Sequence, residues 1–194
     1  MTKTIEELLT EQNTSAEETT SLDIEIKEEV PVSEAQVVDN YTSASVIELL
    51  KKSLNAHWQQ TTSLSAQAVH LERWGYKKLA KIIKEDALEE HQHAMINLNR
   101  LEFFDQEYQP LVVAPLTWSR HDMVAMIKYN LNSVREAAKV ERDTIVAARA
   151  GGDEMTAHIM LPLLQGSEDG IELYEGFLKL IEQMGVDNFL TLQV

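Results

Sequence analysis

The stretch EEHQHAM, residues 89 to 95, places two carboxylates and two histidines within two helical turns. Glu90 and His93 are three residues apart, so on a helix they share a face, and a carboxylate and an imidazole converge on one point. Those groups are ordinary ligands of iron, zinc and similar divalent ions. The bland reading is equally physical: a buried glutamate and histidine must find partners or neutralise, and these two would satisfy each other by hydrogen bonding. His91 points away from that face and raises a separate question.

The elements that must hold these residues are helical. Only 7 glycines and 4 prolines punctuate 194 residues, and the long runs are rich in Ala, Leu, Glu, Lys and Gln. From Ser43, Val46, Leu49, Leu50, Leu54, Trp58, Leu64, Ala68 and Leu71 recur at helical spacing until Gly75, with Ser43 or Ser45 as cap. Leu79, Ile82, Ile83, Leu88, Met95, Leu98 and Leu101 continue the period through a second helix. Two long helices joined at one glycine fold back as an antiparallel hairpin.

Residues 106 to 119 carry Pro110 and Pro115 without a period and read as an extended crossover. A third helix is expected from Ser119, Arg120 and His121 to Gly151, and a fourth, capped by Asp153, to Gly185. Pro162 and three glycines predict a kink or loosening of the fourth near 158 to 170. VDNFLTLQV adds a short fifth element. The result is an all-α, ferritin-like four-helix bundle with one long crossover.

The domain boundary falls near residue 42. Residues 1 to 40 hold eleven acids against Lys3 and Lys27, and Pro31 and TSAEETTSLD break any period. This segment reads as a disordered acidic arm, either a solvated tail or a docking segment for a protein partner, ahead of a bundle over 43–194. The formal net charge of -15 argues against nucleic acid or an anionic membrane surface. With no cysteine, any metal must sit on His, Glu or Asp. No apolar run is long enough for membrane insertion and the acidic start is unlike a signal peptide, so a cytoplasmic protein is expected.

VIELLKKSLNAHW with WGYKKLAKIIKEDALEEHQHA, VREA in the third helix and LIEQMGVDNFL at the end together resemble bacterioferritin from Val46 to Val194. The resemblance implies iron storage, self-association as a dimer or larger cage, and two irons in the bundle. Those irons would be held by a Glu on the first helix, Glu-x-x-His on the second, a Glu on the third and Glu-x-x-His on the fourth. Glu90 and His93 match the second-helix motif. Counting from the Trp74-Gly75 junction puts His57 at the first-helix glutamate. Registering on Arg135-Glu136-Ala137 puts Ile127 at the third, and counting back from Gly185 puts Ser167 and Gly170 at the fourth. About seven extra residues between the last two anchors lengthen both helices.

A complete ferroxidase centre is therefore not expected, and the subunit would support storage or join a mixed cage with an active subunit. His57, Glu90 and His93 instead form a two-histidine, one-carboxylate set suited to one iron, zinc or similar ion. A repaired two-metal site would draw on Glu168, Glu172 or Glu141. His91 occupies the position of the family's haem-ligating methionine on the dimer axis, so it is either a haem b ligand or an interface histidine. His70, His121 and His158 read as structural. Two non-catalytic alternatives stand beside the storage role: a ferritin-fold interaction protein using its acidic arm, and a mononuclear metal protein.

Overall fold

The structure is a computed structural model that describes residues 42–108 and 118–194. The expected arm and most of the crossover lie outside the described residues. Within them are five helices: α1 (Ala44–Arg73), α2 (Lys77–Phe103), α3 (Met123–Ala150), α4 (Glu154–Met184) and α5 (Val186–Thr191). The pairs α1–α2 and α3–α4 make the broadest contacts, as expected of two hairpins. The hairpins join mainly through α1 and α3, while α2 and α4 meet along a much narrower strip.

Local chemistry sets the helix ends. The Ser43 hydroxyl accepts from the Val46 amide, Asp122 from Ala125 and Asp153 from Thr156, each satisfying an amide that lacks an intrahelical partner. Helix α3 thus begins after an Asp122 cap, a little later than its sequence suggested. Gly75 takes φ +92 between α1 and α2, a left-handed conformation costly for any residue with a Cβ. The expected kink in the fourth helix does not break it: α4 is one helix through Pro162, which lies on the exposed side. There Pro162 removes one amide donor from the helical ladder.

The core is two apolar clusters separated by a polar layer. Leu64, Leu71, Leu79, Ile83, Ile127, Leu131, Tyr174 and Phe177 fill the end near the α1–α2 turn. Val46, Leu50, Leu54, Leu101, Ile145, Met160 and Leu163 fill the other. Leu88 and Met95, assigned above to the core stripe, are instead exposed on the outer side of α2. Between the clusters, buried Gln60 and Asn97 lie one turn from His57 and His93, in the layer that holds His57, Glu90, His93 and Glu141. Gln67 and Asn130 form a reciprocal amide pair, each donating to the other's carbonyl at 2.8 and 2.7 Å, which ties α1 to α3. At the far end Arg100 donates to Asp153 at 2.8 Å and to Thr156 at 2.7 Å, pinning α2 to the start of α4.

Candidate metal centre

Helices α1 and α2 bring His57, Glu90 and His93 together as the sequence anticipated. All three are buried, and one ligand atom from each lies within 4.8 Å of the others. The His57 and His93 rings meet edge to face with centroids 5.1 Å apart. His57 Nδ1 is 2.6 Å from Glu90 Oε2, a short charge-assisted hydrogen bond.

The other edge of His57 was not foreseen as a contact of this set. His57 Nε2 faces Glu141 Oε1 of α3 at 3.2 Å, and both side chains are fully buried. Glu141 replaces Ile127 as the third-helix carboxylate, because Ile127 packs in the apolar cluster near the α1–α2 turn. The two positions are fourteen residues apart, about four turns, so both face inward but at levels separated by about 21 Å. The register on Arg135-Glu136-Ala137 found the right face and the wrong height. A readable signal was present: Val134, Ala137, Ala138, Ile145 and Ala148 frame Glu141 at core spacing.

Helix α4 brings little chemistry to the centre. Ser167 is buried but offers only a hydroxyl. Glu168 is paired outward with Arg142 at 2.7 Å, and Glu172 is exposed. Gly170 lies against Val134 of α3. Gly166 passes so close to His93 that a Cβ there would stand 2.7 Å from its Cε1 atom. The fourth-helix Glu-x-x-His pair therefore has no counterpart among the described residues.

Electrostatics divides the two histidines. Burial would depress the His57 imidazole, but the carboxylates beside it, Glu141 and then Glu90, outweigh this and lift its pKa to about 9. His93 is held below its ordinary value by burial and by the neighbouring His57 charge, which favours the neutral ring that binds metals. Next to the set, the fully buried Tyr174 donates its phenol proton to Asp86. Burial raises the Asp86 carboxyl to about 6 against the opposing effect of that hydrogen bond, with Glu90 and Glu89 adding to the rise.

A cation fits what is present. His93 Nδ1, His57 Nε2 and both Glu141 oxygens are buried without an aligned hydrogen-bond partner, a costly arrangement unless another positive group completes it. The set brings together four side chains, His57, Glu90, His93 and Glu141, where a two-iron centre of this bundle class uses about six, mostly anionic. His91 is outside this set. It is exposed on α2, with its ring 5.1 Å from that of Trp58. His70 is structural, its Nε2 bonded to the Arg120 carbonyl at 2.8 Å.

A helical hairpin pair with carboxylates and imidazoles converging in its core defines the class of four-helix carboxylate bundles. The Ferritin-like domain family matches residues 47–184, and the chain belongs to that family. It is 24% identical over 156 residues to a bacterioferritin of Brucella melitensis biotype 1, covering 80% of this chain and 91% of the relative. It is 26% identical over 152 residues to a bacterioferritin of Rhodobacter capsulatus, covering 77% and 92%.

Proposed function

We propose that this chain is a bacterioferritin-like subunit with a reduced, single-ion metal centre in place of a two-iron ferroxidase site. His57, Glu90 and His93 hold a divalent ion, iron or zinc by donor type, which takes the place of the His57 proton and releases it to solvent, with Glu141 supplying the second buried carboxylate. The ion supplies charge and Lewis acidity. The protein supplies a neutral His93, two carboxylates and a water-poor core. Its role is to support iron storage within a self-associated assembly, alone or mixed with an active subunit.

One observation carries this reading: α4 has Ser167 and Gly170 at the positions where the family resemblance expects a carboxylate and an imidazole, and only Gly166 beside His93. Elemental analysis with an absorption spectrum of the purified protein tests it. At most one divalent ion per chain is expected, lost in His93→Ala, with iron oxidation at the background rate. Two irons per chain would overturn it.

The same spectrum tests His91. The outer α1–α2 face beside it exposes Val69, Leu88 and Met95, an apolar surface suited to a dimer contact and to haem. A Soret band lost in His91→Ala supports haem ligation by that residue, and no band in the wild type removes it. A second reading rests on His57. An imidazolium between two carboxylates balances one of their two charges without metal, as a ferritin-fold interaction protein with a docking arm would require. Metal-free protein of full stability would favour it.

A further inference from the structure

A small cavity lies between α1, α3 and α4, one helical turn along α1 from His57 and sharing no residue with the metal set. Its volume is about 10 Å³, and its polar lining includes Gln60 and Ser63 of α1, Asn130 and Ser133 of α3, and Tyr174 of α4. A space of that size admits a single water-sized sphere.

The hydrogen bonds around the cavity leave a matched remainder. Gln60 is 5% exposed, and its Nε2 atom is buried with no hydrogen-bond partner among the described residues. Ser63 Oγ accepts from Gln67 Nε2 at 3.2 Å and still has its own proton to give. Across the cavity, Ser133 gives its proton to the Tyr129 carbonyl at 3.1 Å and Tyr174 gives its proton to Asp86, so both oxygens keep lone pairs. Asn130 is committed to Gln67. The α1 side therefore offers donors, and the α3 and α4 sides offer acceptors.

We propose that this cavity is a binding site for one buried water, which accepts from Gln60 Nε2 and Ser63 Oγ and donates to Ser133 Oγ and Tyr174 Oη. A cation would face the Gln60 N–H, and an anion would face the two oxygen lone pairs. Water is donor and acceptor at once and satisfies both sides. Buried waters of this kind make about three hydrogen bonds and are costly to remove, whereas an unpaired Gln60 amide would carry a desolvation cost in the core. The bridge also bears on packing. Beside the Gln67–Asn130 pair, which joins α1 to α3, the water ties α4 into the same layer.

A high-resolution crystal structure of the full chain tests this, together with oxygen-17 magnetic relaxation dispersion, which counts waters held longer than the protein takes to tumble. The crystal is expected to show one ordered water within hydrogen-bonding distance of Gln60 Nε2 and of Ser133 Oγ or Tyr174 Oη. Gln60→Met, which keeps the length of the side chain and removes the donor, is expected to lose one long-lived water relative to the wild type at the same metal content. A crystal in which the Gln60 amide bonds a protein oxygen and the cavity is closed would overturn the site. So would a water count unchanged by Gln60→Met. Where that variant folds poorly, the wild-type crystal decides alone.

Discussion

At the scale of residues, His57 shows how a buried charge is retained. Breaking such a pair by removing one partner is strongly destabilising because the other charge is left in a poor solvent. Glu141→Gln leaves His57 paired with Glu90 and is expected to lower the His57 titration midpoint from about 9, read by NMR; Glu90→Gln together with Glu141→Gln would strand the charge and lower stability by roughly 3 kcal/mol, read by urea denaturation. A raised histidine pKa stabilises the folded state fully below the unfolded value of 6.5, and that contribution is lost as pH rises through about 9. Asp86 has the opposite logic. Its folded pKa of about 6 exceeds the unfolded 3.8, so the folded state holds the proton more tightly and stability falls as pH rises between those values. Asp86→Asn should flatten that fall. Tyr174→Phe, which deletes the hydrogen bond that stabilises the carboxylate, should move the Asp86 midpoint higher still, and a midpoint moving down would contradict the assignment.

At the scale of elements, two polar ties fix the hairpins against each other. Arg100 lies over Phe103 and Phe104 at 4.5 and 4.4 Å while it binds Asp153. Arg100→Ala leaves the Asp153 carboxylate buried and is expected to cost roughly 3 kcal/mol. Its effect should exceed that of removing the exposed Arg135–Glu175 pair, because water screens the latter. Asn130→Ala should cost about 1–3 kcal/mol by orphaning the Gln67 amide. The double replacement Gln67→Leu with Asn130→Leu should recover most of that loss, since no polar group is left unpaired. If the double variant is as unstable as the single, the amide pair does more than satisfy itself.

At the scale of the whole molecule, the family relation and the exposed apolar outer face of α1 and α2 together lead to an expectation of self-association. Light scattering is expected to give a species larger than a monomer. Replacing Val69 and Leu88 with glutamate should dissociate it, because these exposed side chains lie on that face. A chain starting at Ser43 should keep its helical signal and melting temperature, because the described bundle core begins at Val46. Loss of cooperative melting in that truncation would show that the acidic segment contributes to the fold.

The residue pattern alone determined the helices, the hairpins and half of the centre. Those properties are local: period, caps and the Glu90–His93 spacing act within a few turns, and Gly75 forces the fold-back that sets His57 opposite. What only the tertiary structure decided is level along the bundle. A helix repeats its inward face every few residues, so Ile127 and Glu141 are equivalent in direction and differ only in height. That height is set by how α3 slides against α1, through contacts such as Gln67–Asn130 that join residues distant in sequence. The same cause hid Leu88 and Met95 on the outer face and the passage of Gly166 over His93, for apolar character and small size do not state which neighbour will lie alongside.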